Sequence, residues 1–196
     1  MSRKIYIAGP DVFAPNAVEI GEKYKALCKK YGFKGLYPLD ADEASARAND
    51  KSSADEASAV EAPTSRQIFL SNLKKIKKAD YIVANLNDFR GYGIDDGTAW
   101  EIGHAYTLGK TIVGYMDNTS DMRTRWEREE ISNYTVEDFG LPVNLMIAEA
   151  THKIVRGNFE DAVEFLAETE DKVAKMKAKK AKAKSHKTKK AKAKSH

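Results

Sequence analysis

The chain has 196 residues, 42% of them hydrophobic and 32% charged, which suits one domain with a sizeable core. Its net charge of +4 conceals two unlike regions: the twelve lysines from Lys172 onward stand among no acids, and without them 21 basic residues face 29 acidic ones, a net −8. That division excludes a basic body built to wrap nucleic acid, and no apolar run approaches the roughly 20 residues a membrane-spanning helix needs.

The opening MSRKIYIAGP enters strand-like sequence at once, without the apolar stretch and cleavage site of a signal peptide. A single cysteine, Cys28, gives no internal disulfide framework and fits a reducing compartment. The expectation is a soluble cytoplasmic protein. Lys4–Ala8 is a short apolar run stopped by Gly9-Pro10, a buried strand followed by a turn. Residues 16–31 space Val18, Ile20, Tyr24, Leu27 and Cys28 as one helical face, so Cys28 reads as a core residue. Gly35–Leu39 predicts a second strand ending at Asp40. Residues 41–64 carry Ala, Ser, Asp and Glu with almost no large apolar side chains, and predict a mobile excursion that orders over a ligand.

Helical spacing returns at Ser65–Lys78. YIVANL at Tyr81–Leu86 is the clearest buried strand, followed by a Gly- and Asp-rich loop over Asn87–Gly97, a helix over Thr98–Leu108 and a strand over Thr111–Tyr115. A polar segment with Arg123, Arg125, Trp126 and Arg128 leads to Leu141-Pro142 and the apolar turn NLMIAEA; Lys153–Val155 predicts a last strand, and Asn158 to about Met176 an amphipathic helix. The body, residues 1–171, is thus expected to be one catalytic domain. Residues 172–196 repeat KKAKAKSH and predict a disordered or loosely helical tail, either simply solvated or a nonspecific binder of polyanions. His186 and His196 lack metal-ligand spacing, so no metal is assigned.

Strands alternating with helices predict an α/β fold, a doubly wound parallel sheet with helices on both faces and ligands at the carboxyl ends of its strands. Three loops should meet there: Gly9–Pro15, Asp40 onward, and Asn87–Gly97. The third holds the chemistry. Asp95 and Asp96 lie on a glycine-containing loop, and Glu101 is expected in the first turn of the next helix, where unpaired N–H groups favour an ionised carboxylate. Such a carboxylate serves as nucleophile or electrostatic stabiliser, and Asp95 or Asp96 could protonate a leaving group. Gly91, Gly93 and Gly97 would let the backbone approach a flat ligand. Ordinary helix capping by Asp95 or Asp96 accounts for the same residues. His104, one turn after Glu101, reads as a packing group.

Four pieces in order, IYIAGPDVF at Ile5–Phe13, ADYIVANLNDFRG at Ala79–Gly91, DDGTAWEIGHAYTLGK at Asp95–Lys110 and LPVNLMI at Leu141–Ile147, resemble the nucleoside 2-deoxyribosyltransferase family. The resemblance implies a flavodoxin-like fold and an enzyme that transfers deoxyribose between nucleobases, acting on 2′-deoxynucleosides and free bases without a cofactor. It implies that Glu101 is the nucleophile, that Asp95 works on the base, and that the Tyr6 hydroxyl holds the nucleophile. Gly9, Phe13, Asn72 and Gly97 fall on the substrate side. Asn144 would reach the sugar 5′-hydroxyl of a neighbouring subunit, in a homo-oligomer that is a hexamer or dimer; capping of NLMIAEA explains it equally. Asn72 replaces an aspartate found in some members. Two other readings remain: a deoxynucleoside 5′-monophosphate N-hydrolase, disfavoured by Asp11 and the lack of arginine in GPDVFAP but helped by Arg90, and a non-catalytic nucleotide-sensing module.

Overall fold

The structure, a computed structural model, describes residues 2–41, 62–126 and 134–192, with side chains as far as Ala181; most of the 41–64 excursion lies outside the described residues. Three apolar runs make the centre of a sheet: β1 (Lys4–Ala8), β3 (Tyr81–Asn85) and β4 (Thr111–Met116), almost wholly buried. Strands covered on both faces read as unbroken apolar runs, which is why these three stand out in the sequence. β2 (Lys34–Leu36) and β5 (Lys153–Arg156) flank them, giving five parallel strands in the order β2-β1-β3-β4-β5. The order is that of a doubly wound sheet, the fold class predicted for the chain, and the direction of winding reverses between β1 and β3.

Alternate residues of each strand serve opposite faces. Ile5, Ile7, Val83 and Val113 meet α1 (Ala17–Lys30) and α6 (Phe159–Lys192) through Cys28, Phe159, Val163 and Leu166. Tyr6, Ile82, Ala84 and Ile112 meet α2 (Ser65–Lys78), α3 (Asp96–Thr107) and α5 (Leu145–Ala150) through Ile76, Ile102, Ala105 and Ile147. A short 3-10 turn covers Pro10–Phe13, and α4 is the single turn Met122–Arg125. Cys28 is fully buried, and burial pushes its thiol up to about 12. No helix of the described residues is long and apolar enough to cross a membrane.

Away from the site, the ends of β2 and α6 differ from the sequence expectation. β2 ends at Leu36 rather than Leu39, because Tyr37 turns the chain: its N–H donates to Asp40 Oδ2 at 2.9 Å, and the Asp40 N–H returns to its carbonyl at 3.0 Å. α6 does not stop near Met176 but runs to Lys192, although its side chains are exposed from Ala174 to Ala181. Alanine and lysine are good helix formers, so the helix continues past the last residue with anything to pack against.

Candidate active site

Helix α3 organises the site. Asp95 is its N-cap, and its Oδ2 accepts from the Thr98 backbone N–H at 2.8 Å and from the Thr98 hydroxyl at 2.9 Å. Asp96 is therefore the first helical residue and is exposed, so of the two acids only Asp95 turns inward. The helix begins two residues earlier than expected, and Glu101 is its sixth residue, not a member of the first turn. The expectation that the helix N-terminus keeps Glu101 ionised is corrected accordingly. That position already has an ordinary intrahelical partner, and terminal N–H groups act over the first turn only.

What surrounds Glu101 instead is the core. Its carboxylate meets the side chain of Tyr6, the central residue of β1, whose hydroxyl donates to Oε1. Tyr6 is fully buried. Burial pushes the Glu101 carboxyl up to about 7, and the negative charge of Asp95 adds to the rise while the Tyr6 hydrogen bond opposes it. Burial first, and Glu101 second, hold the Tyr6 phenol well above its ordinary range, so it remains a donor. A buried carboxylate fixed by one phenol and neighboured by a second acid can act as nucleophile and acid in glycosyl chemistry.

Asn72, on α2 one turn before the buried Ile76, belongs to the same side of the sheet. Its Oδ1 is buried and takes no hydrogen bond among the described residues, an acceptor left open. Gly9 lies at the end of β1 with φ 157°, and a Cβ there would come within 2.8 Å of Asn85 Cβ and 2.9 Å of Asp11 Oδ2. Phe13 is 57% exposed and stacks on Phe89 at 5.6 Å, while the Arg90 guanidinium lies 4.6 Å from the Phe89 ring centroid and 5.2 Å from that of Phe13. Arg90 itself has φ 52°, an uncommon left-handed conformation for a residue other than glycine. Gly97 is exposed in the first turn of α3. Asn144 caps α5, accepting from the Met146 N–H at 3.0 Å, and its amide donates to Glu137; it is exposed, and among the described residues it forms no hydrogen bond with Glu101 or Tyr6.

The loop after β3 is also tied together by Asp88, which the sequence reading did not single out. Asp88 accepts from the Gly93 N–H at 3.1 Å, from Trp126 Nε1 at 3.3 Å and from Arg125 at 2.8 Å. Beside it, a cleft of about 430 Å³ is lined by Asn87, Asp88, Met116, Asp117, Asn118 and Arg125. This cleft opens at the ends of β3 and β4 and does not include Tyr6 or Glu101, so the chemistry is assigned by the carboxylate pair and not by the hollow. The available sequence signal was the polar pair Asn87-Asp88 directly after a buried run, since polar side chains at the carboxyl end of a parallel strand face the ligand edge.

The ligand edge of a doubly wound α/β sheet thus carries a phenol-bound carboxylate and a capping acid. The profile of the family described as "Nucleoside 2-deoxyribosyltransferase" matches residues 5–146. The chain belongs to the nucleoside 2-deoxyribosyltransferase family. An uncharacterized protein of Schizosaccharomyces pombe is 31% identical over 137 residues, 69% of this chain; the chain spans 58% of that relative's length. A 2-desoxiribosyltransferase from Leishmania mexicana is 32% identical, with a TM-score of 0.68 over 85% of this chain and 97% of that one. A conserved protein from Enterococcus faecalis V583 shares the fold at 22% identity, with a TM-score of 0.50 over 84% and 96%.

Proposed function

We propose that the chain is a nucleoside 2-deoxyribosyltransferase working by double displacement. The observation that carries this reading is the buried Glu101 carboxylate held by the Tyr6 hydroxyl, with Asp95 close enough to raise its pKa. In the first step Glu101 attacks C1′ of the deoxynucleoside, the C1′–N bond breaks, and the departing base takes a proton from Asp95. In the second, a nitrogen of an incoming base attacks C1′ of the deoxyribosyl ester, gives its proton to Asp95, and Glu101 leaves as carboxylate. Water in place of the second base gives slow hydrolysis. The carboxyl groups supply the chemistry without a cofactor.

The open acceptor of Asn72 suits an N–H donor on the base, and Gly9 and Gly97 permit close backbone approach. Phe13 offers a flat face. In the homo-oligomer, hexamer or dimer, that the reading includes, exposed Asn144 reaches the sugar of a neighbouring site. The physiological setting is deoxynucleoside salvage in the cytoplasm, and the lysine tail is either a solvated extension or a nonspecific polyanion contact.

The test is incubation with deoxyinosine plus adenine, and separately with thymidine plus adenine, following deoxyadenosine by chromatography beside a Glu101→Ala variant. Deoxyadenosine formed from either donor, and absent with the variant, is the expected outcome. Release of base from a deoxynucleoside 5′-monophosphate, with no transfer, would replace this reading with the N-hydrolase; no turnover of any kind would leave a binding module.

A further inference from the structure

The face of the sheet opposite Glu101 carries a half-buried polar chain that the displacement does not use. Asn85, the last residue of β3, is buried; its Nδ2 donates to Asp11 Oδ2 at 3.1 Å. Its Oδ1 accepts twice from Asn87, from the backbone N–H at 3.1 Å and from Nδ2 at 2.9 Å. Asn87 Oδ1 in turn accepts from the Asp117 N–H at 3.0 Å. On the other side the Tyr24 hydroxyl reaches Asp11 Oδ1 at 3.4 Å and lies 3.5 Å from the Tyr115 hydroxyl. Asp11, Asn85 and Asn87 thus bind the carboxyl ends of β1, β3 and β4 into one ladder, with Tyr24 and Tyr115 beside it.

The ladder is built for a single arrangement. Gly9 lies so close to Asn85 and Asp11 that a methyl group would not fit. Asp11 has no ion-pair partner among the described residues, so its carboxylate depends on Asn85 and Tyr24 for its hydrogen bonds. Burial first, and then the Asp11 charge, raise the Tyr115 phenol far above its ordinary range and push Tyr37 up to about 12. The phenols around the carboxylate therefore stay protonated, and the one within reach, Tyr24, can act as a donor. The loops fixed by the ladder are the ones the substrate needs. Asp11 lies in the turn that ends with Phe13, and Asn87 begins the loop that ends at the Asp95 cap.

We infer that Asn85 is a positioning residue: by joining Asp11 to Asn87 it sets the separation of the two loops between which the deoxynucleoside is held. The role rests on the transferase reading of the site. Asn85 touches no reacting atom, so its effect belongs to substrate capture. A displaced loop of this kind changes rates by roughly tenfold to a hundredfold.

The test compares the full chain with Asn85→Asp, Asp11→Asn and the double variant. Asn85→Asp sets two carboxylates against each other and should raise KM for the deoxynucleoside about tenfold or more while kcat changes less than about threefold. Asp11→Asn alone should be mild, since its amide oxygen still accepts from Asn85. In the double variant the amide at position 11 donates to the carboxylate at position 85, and KM should return to within about threefold of the original. Melting temperatures are followed in parallel, and the double variant separates lost positioning from lost folding. An unchanged KM in Asn85→Asp, or no recovery in the double variant, overturns the role while leaving the transferase reading intact. A parent chain that turns over no deoxynucleoside defeats the reading of the site itself, and this role with it.

Discussion

Glu101 is placed where its charge is least welcome, and Tyr6 offsets only part of the penalty. The pH consequence has a definite sign. In the proposed displacement the nucleophilic form is the carboxylate, so kcat/KM should rise with pH through about 7 on its acid side. Tyr6→Phe removes a hydrogen bond that favours ionisation, so a pH–rate profile of that variant should show the acid limb displaced to higher pH; a limb that stays or moves down contradicts the role given to Tyr6. Stability should run the opposite way to activity. A folded-state pKa raised from 4.5 to about 7 means that below 4.5 both states are protonated and nothing is lost. Between those values the unfolded chain ionises first, and above about 7 the full penalty is in place. Glu101→Gln should therefore be the more stable protein at pH 8–9, by up to about 3 kcal/mol, with the gain vanishing below pH 4.5 in thermal melts.

Helix α3 was legible as an element, but its first residue was not, and that shift changed the electrostatic account of Glu101. The acidic pair DD offers two equivalent N-caps in sequence; only the hydrogen bonds to Thr98 choose Asp95. β1, β3 and β4 were readable because burial on both faces keeps the middle of each run apolar, whereas β2 was overextended because Tyr37 and Leu39 look like strand residues until the Asp40 turn is seen. The Asp11–Asn85 ladder was not legible, since its partners are 74 positions apart and nothing local announces the pairing. Asp95 also tests how capping and chemistry separate. Asparagine caps a helix as well as aspartate, so Asp95→Asn should melt within about 0.5 kcal/mol of the parent yet lose at least a hundredfold in kcat. Asp95→Ala should lose the same activity and, in addition, about 1 kcal/mol of stability in denaturant unfolding.

At the scale of the molecule, an acidic body is joined through α6 to a helix of lysines. The body holds the base of that helix: Glu170 accepts from Tyr81 and pairs with Arg3. Beyond Met176 no bulky apolar side chain follows, so the arm has charge to offer and little else. If some six of its lysines meet phosphates, affinity for duplex DNA should fall about a thousandfold between 50 and 200 mM salt, read by fluorescence anisotropy. A chain ending at Asp171 should not bind at all. Binding that ignores salt, or survives the truncation, would show that the tail is not the contact. The exposed helix also makes the protein's electrophoretic character depend on one peptide bond. Intact, the chain carries +4 and has a pI near 8.9; cut once after Asp171, the same fold carries −8, migrates toward the opposite electrode and exchanges one ion-exchange resin for the other.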